Sequence, residues 1–237
     1  GSDNIEGYAS GSMFGYRFAG VNPLTGQAMI YLTDESRKIL ADYRGVDISQ
    51  VADKIDTEEI DYNIREELLR ASMEKLGSVT PKVTGGFSST LTWKKLEVRA
   101  SFAYSAGHLL ETFNERKYAP SGANKSSEIY VSRTNRWREP GDITNTPRYQ
   151  FNGAQYHNMY TDDKYEKGNY LAWRDLTFSY DLKNKWFDRI GLDRCRLGLQ
   201  VQNLFTFTKY SGLDVTTGGA FNYPLPRTYM FNLSLGF

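Results

Sequence analysis

The feature that most constrains how this chain can fold is the strict two-residue alternation of its last eleven residues, Arg227 to Phe237. Tyr229, Phe231, Leu233, Leu235 and Phe237 fall on one face of a strand, and Met230, Asn232, Ser234 and Gly236 fall on the other. A greasy, aromatic-rich row backed by a small and mostly polar row suits a wall with lipid outside and water inside. The last strand of a soluble sandwich has the same period, so this strand alone leaves both readings open.

The alternation recurs upstream. Phe87, Leu91 and Trp93 oppose Ser88, Thr90 and Thr92, and Lys94-Lys95 then predicts a tight hairpin turn. In the next strand Leu96, Val98, Ala100, Phe102 and Tyr104 oppose Glu97, Arg99, Ser101 and Ser105. Charge facing a dry sandwich core is costly, whereas a water-filled lumen accepts it. The soluble alternative reverses the two faces, apolar in and polar out. Tyr170, Ala172, Leu176, Phe178, Tyr180 and Leu182 are expected on one face against Trp173, Asp175, Thr177, Ser179 and Asp181. Cys195, Leu197, Leu199 and Val201 are expected opposite Arg196, Gly198, Gln200 and Gln202. With the alternating stretch Gly11–Gly20, about six strands are predicted.

The connections are unequal. Residues 22–82, 107–168 and 209–226 are long and rich in Gly, Pro, Asn and charge, while the remaining links are short or intermediate. All three long segments fall on one side of the strands, and in a barrel whose C-terminus is periplasmic that side is extracellular. Within the first, Asn22-Pro-Leu-Thr-Gly26 is turn chemistry. Asp56-Thr-Glu-Glu59 resembles a capping box, and Ile60, Ile64, Leu68 and Leu76 recur at helical spacing before Gly77, which predicts one amphipathic helix near 57–76.

No run of about 18 apolar residues is present, which excludes a transmembrane helix and says nothing against a barrel. Lys+Arg at 29 and Asp+Glu at 28 leave no basic excess for nucleic acid. The two histidines, His108 and His157, lack partners at ligand spacing, and Asp162-Asp163 lacks the alternating pattern of a calcium loop, so no metal, cofactor or catalytic residue is expected. The lone Cys195 sits among apolar neighbours as a small structural side chain.

Several segments together resemble the C-terminal part of the SusC/RagA family of TonB-dependent outer-membrane transporters. They are Gly15–Gly26, Thr80–Phe87, Tyr170–Tyr180, Gln202-Asn-Leu-Phe-Thr through Asp214, and Tyr223-Pro-Leu-Pro-Arg-Thr228 before a terminal Phe. The resemblance spans nearly the whole chain. It implies an all-β fold: antiparallel strands closing a large transmembrane β-barrel, with long extracellular loops, one of which carries a short helix. It also implies residence in the outer membrane of a Bacteroidetes-like bacterium, among outer-membrane lipid. Because the family's barrel has about 22 strands around a plug, the resemblance implies that the plug, and with it the contact to TonB, is absent from this chain. It further implies import of oligosaccharides or oligopeptides with a SusD-like surface lipoprotein over the barrel mouth. Rival readings are a siderophore or vitamin receptor of the wider TonB-dependent class, an outer-membrane adhesin, and a soluble β-sandwich carbohydrate-binding module.

Within the barrel reading, Glu97, Arg99, Asp175, Gln200 and Gln202 face the lumen and are candidates to line a substrate path. Trp137, Tyr149 and Tyr156 in the long loop are candidates to stack on sugar rings, or else to fill a small core of the loop itself.

Overall fold

The computed structural model describes residues 5–112, 136–148, 159–182, 191–218 and 222–237. In chain order the strands are β1 (Ser12–Gly15), β2 (Phe18–Val21), β3 (Ala28–Tyr31), β4 (Lys54–Asp56), β5 (Glu74–Ser78), β6 (Val83–Trp93) and β7 (Leu96–Ala106). They continue as β8 (Leu109–Glu111), β9 (Tyr165–Lys167), β10 (Tyr170–Leu182), β11 (Arg194–Thr208) and β12 (Thr228–Gly236). Two helices, α1 (Asp34–Arg44) and α2 (Arg65–Ala71), lie between β3 and β5. The chain divides into two compact units, one of Gly1–Thr80 with Glu111–Glu166, the other of Pro81–Leu110 with Lys167–Phe237.

The first unit is a small mixed α/β body with a dry core. β2, β3 and β4 form one antiparallel sheet, and β1 pairs antiparallel with β5. Ile30, Leu40, Val51, Ile55, Ile60, Ile64 and Leu68 meet in a single buried cluster. Helix α1 begins where the Thr33 hydroxyl accepts the Ser36 N–H at 3.2 Å, with Asp34 and Glu35 against the positive end of the helix dipole. It ends at Gly45, whose φ of 64° is the left-handed stop that glycine adopts without strain.

The expected helix over 57–76 is corrected to α2, Arg65–Ala71. Asp56 does not cap it. Its buried carboxylate instead accepts the Thr25 hydroxyl at 2.7 Å, the Asn22 amide at 3.3 Å and the Glu58 N–H at 3.0 Å, tying the end of β4 to the Asn22–Gly26 turn. Glu74–Ser78 leaves the helical course to pair with β1. The stripe Ile60, Ile64 and Leu68 is nevertheless buried, so its apolar spacing was meaningful although only its end is helical. The alternating residues 11–20 do form strands, β1 and β2, but these belong to the first unit and not to the large sheet.

The second unit is one five-stranded antiparallel sheet in the order β12-β11-β10-β7-β6, with β10 beside β7 across the long segment that carries β8 and β9. The Lys94-Lys95 hairpin joins β6 to β7 as expected, with Lys94 at a φ of 55° and its ammonium 5.2 Å from the Trp93 ring centroid. The register places the ends flanking the long connections together, with Tyr170 opposite both Ser105 and Thr208. The ends flanking the shorter links lie together at the other edge, with Trp93 opposite Leu96 and Leu182 opposite Cys195.

Candidate functional site

The sheet of the second unit has two faces of opposite chemistry, carried in register across all five strands. One row runs Trp93, Leu96, Tyr180, Leu197, Leu233, and the next runs Leu91, Val98, Phe178, Leu199, Phe231. Further along come Phe87, Phe102, Trp173 and Phe205, where the Phe87 and Phe102 rings stack at 4.9 Å and Trp173 follows at 5.2 Å. In the last row Gly85 lies beneath the Tyr104 ring, into which any Cβ would run.

Six such rows, two residues apart, extend about 34 Å along the strands, which a tilt near 45° reduces to about 24 Å of height. That matches the apolar band of an outer-membrane barrel, about 25 Å tall. The face is open: Phe231 is 84% exposed, Leu91 67% and Leu233 61%. Soluble domains bury side chains of this kind, and an uncovered apolar sheet is the mark of a surface that meets lipid or protein.

The opposite face carries polar and small side chains. Glu97, Arg99, Asp175, Gln200 and Gln202 all lie on it. Arg196 reaches across β10 to pair with Glu97 at 3.0 Å and approaches Asp181 at 3.8 Å. Asp175 accepts the Thr177 hydroxyl at 2.8 Å and the Gln200 side-chain amide. Gln202 stands opposite Asp175 and Thr228, and Arg99 is exposed opposite Thr90 and Thr177. These groups form a wettable wall, able to offer both signs of charge and amide donors to a passing polar solute. Arg196 and Asp181, which no charge count singles out, are its ionic centre. They sit on the polar parity of their strands, which was the available signal.

One face assignment is corrected. β10 gains a residue relative to β7 between Trp173 and Asp175, and β11 gains another relative to β10, near Asn203, whose φ is 52°. This bulge switches the parity of β10. Trp173 therefore joins the apolar row of Phe102 and Phe205, while Ala172 moves to the polar side, where it is fully buried.

Of the loop aromatics, Trp137 lies in the first unit. Its indole N–H donates to the Pro23 carbonyl at 2.9 Å, and its ring occupies the space where a Cβ on Gly26 would stand. Gly26 has a φ of 73°, so both its conformation and this close approach call for glycine. Tyr149 and Tyr156 lie outside the described residues. Among the described residues no cluster of His, Cys, Asp or Glu is arranged to hold a metal.

The arrangement has close counterparts. No protein-family model matches the chain. It is 27% identical over 214 residues to TonB-dependent receptor P3 of Formosa agariphila, a match covering 88% of this chain and 19% of that receptor. TonB-dependent receptor P39 of the same organism matches at 23% over 152 residues, 62% of this chain and 14% of the receptor. The fold superposes on the RagAB peptide transporter with a TM-score of 0.72 at 25% identity, over 98% of this chain and 23% of that one. The RagAB peptide importer in its closed-closed state gives a TM-score of 0.71, also at 25% identity, over 95% of this chain and 23% of that one.

The chain is similar to TonB-dependent transporters of the SusC/RagA kind. It matches a fragment of a TonB-dependent transporter barrel and spans about a fifth of the length of the relatives it matches. Its place is the outer membrane, and the open apolar face is the face a barrel of this family presents to lipid. The soluble sandwich reading falls on the same observation, because a sandwich would cover that face with a second sheet. Both margins of the sheet, β6 and β12, pair on one side only among the described residues. A sheet edge left open in lipid would forfeit its backbone hydrogen bonds, so in a SusC/RagA-type barrel further strands complete both margins. The matched proteins are receptors and transporters.

Proposed function

We propose that this segment forms part of the barrel wall of a SusC-like importer that takes up oligosaccharides or oligopeptides through the outer membrane. The single observation that carries the reading is the two-faced sheet, apolar and open on one side, polar and ion-paired on the other. The RagAB structures, which are of a peptide importer, support import as the activity. The wall breaks no bond. It supplies a polar surface along which a hydrated solute moves, with Glu97, Arg99, Asp175, Gln200 and Gln202 as generic lining.

In this reading the segments 22–82, 107–168 and 209–226 stand on the extracellular side, supported by the gathering of their flanking strand ends at one edge of the sheet. A SusD-like surface lipoprotein is the partner that those segments meet, and a plug elsewhere in the protein couples the barrel to TonB. The test is deletion of the full-length gene, followed by growth and uptake of labelled oligosaccharide and oligopeptide mixtures. Loss of uptake of one class, restored by the intact gene, is the expected result. Unaltered uptake of both classes would overturn the proposal. Affinity purification from outer membranes in detergent is expected to bring down a surface lipoprotein.

A further inference from the structure

The neck through which the chain leaves β7 and returns to β10 is closed over a histidine. Gly107, with a φ of 84°, turns the chain out of β7, and its N–H donates to the Asn169 side-chain oxygen at 2.8 Å. Beside it the Gly168 N–H donates to the His108 carbonyl at 2.9 Å. Asn169 is in turn held to the end of β11, its carbonyl accepting the Thr208 hydroxyl at 2.8 Å. The Lys82 side chain packs over Gly107, where a Cβ would run into it.

His108 is sealed into this neck, with 7% of its surface exposed. Gly168 lies so close to the Nε2 and Cδ2 edge of the ring that a Cβ there would meet it, which is why this position takes glycine. Nδ1 is buried and finds no hydrogen-bond partner among the described residues. The charged groups on the adjoining elements are Lys82 before β6, Glu111 on β8, and Glu166 and Lys167 on β9. None of them offsets the burial, and desolvation alone holds the imidazole below its ordinary pKa of 6.5. The neutral ring tolerates such a place. A second proton would put an N–H on Nδ1 with no acceptor and a charge where no counter-ion stands, so charging the ring requires water to enter.

We propose that His108 is an acid-sensitive latch: its neutral ring closes the neck between β7 and β10, and its protonation parts Gly107–His108 from Gly168–Asn169. The sign follows from the burial. The closed neck depresses the imidazole pKa, and an opened, hydrated neck returns it toward 6.5. The closed form is therefore at full stability above 6.5 and weakens as pH falls below it, because the open form takes up a proton that the closed form refuses. A leucine or phenylalanine would fill the same space without this response. The latch stands on packing within one unit and not on what the barrel carries. That the acid reaching it is that of the medium rests on the extracellular placement proposed above.

The experiment uses the full-length transporter in outer-membrane vesicles. Hydrogen exchange of the Gly168 amide is read by mass spectrometry at about pH 7.5 and about pH 5, and divided by the intrinsic rate at each pH to give a protection factor. Protection is expected to fall about tenfold or more on acidification, while that of the Val98 amide in the middle of β7 stays the same. His108→Gln, which takes up no proton, is expected to show equal Gly168 protection at both pH values. If that variant does not assemble, His108→Phe gives the same comparison with an apolar ring. Gly168→Ala, whose Cβ meets the imidazole, is expected to bring protection of the residue-168 amide at neutral pH down to the acid level. Equal wild-type protection at the two pH values, a fall shared by the Val98 amide, or a fall undiminished in His108→Gln or His108→Phe would overturn the proposal.

Discussion

The two units of this chain place the same kinds of residue in opposite settings. In the first, Ile30 and Leu68 are completely buried, as in any water-soluble core. In the second, Phe231, Leu91 and Trp93 lie open, and the polar groups gather on the other face. A side chain's hydrophobicity says that it avoids water, but the geometry of the element decides what it meets instead. A helix stripe or a short strand can turn its apolar side onto a neighbour, whereas a long, continuous sheet with a polar reverse face meets lipid.

Mutations that test this contrast are expected to differ by unit. The largest effect is expected for Leu68→Ala in the first unit, which leaves a cavity in a dry core and costs about 2–5 kcal/mol. Faster hydrogen exchange across α1 and α2, with the sheet unchanged, checks it. Next is Phe231→Arg on the apolar face, expected to cost about 2–4 kcal/mol because a cation is placed in lipid. Arg at Gln200 on the polar face should cost much less, and urea unfolding of the barrel in vesicles compares the two. If both arginines cost the same, the two-faced assignment of the sheet is wrong.

A smaller change is expected from Arg196→Ala, about 1 kcal/mol or less, because the pairs it makes with Glu97 and Asp181 are partly exposed. A double-mutant cycle with Glu97→Gln measures it. Subtler still is the response of the β11–β12 connection to acid. Burial raises the Asp214 pKa, but the hydrogen bonds from Leu225 and Thr216 and the nearby Arg174 outweigh it and hold the carboxyl below its ordinary value of 3.8. Its folded pKa is depressed, so the stability it contributes is present above 3.8 and is lost as pH falls through the lowered folded value. Protection of the Leu225 amide from hydrogen exchange should fall over that acid range in the native protein, and Asp214→Asn should abolish the dependence.

Much of the sheet is legible in the amino-acid sequence. Period-two alternation assigned the faces of β6, β7, β11 and β12, and Lys94-Lys95 marked a tight hairpin. The candidate lumen residues Glu97, Arg99, Asp175, Gln200 and Gln202 came from the same parity, and all five share a face. Trp173 was misassigned because a bulge is defined by two strands together: nothing in Tyr170–Leu182 alone announces the extra residue that β7 does not have. Helix α1 carries its own signals, with Thr33 before an acidic first turn and Gly45 after it, whereas the Asp56-to-Glu59 pattern starts no helix. That pattern belongs to a buried carboxylate serving a turn some 30 residues earlier.

The amino-acid order by itself determined that this chain makes a wall. Alternation is a local property, fixed by the geometry of a strand, and it survives wherever the strand is placed. Its motifs likewise carried the family resemblance. Tertiary structure alone decided that residues before β6 join others from the long segment between β7 and β10 in a separate dry core, that Trp173 joins the apolar row, and that Asn203 and Asp214 find partners in Pro226 and Leu225. Each of these depends on groups far apart in sequence meeting in space. Local pattern records what a residue prefers, and only the folded chain supplies the partner that satisfies it.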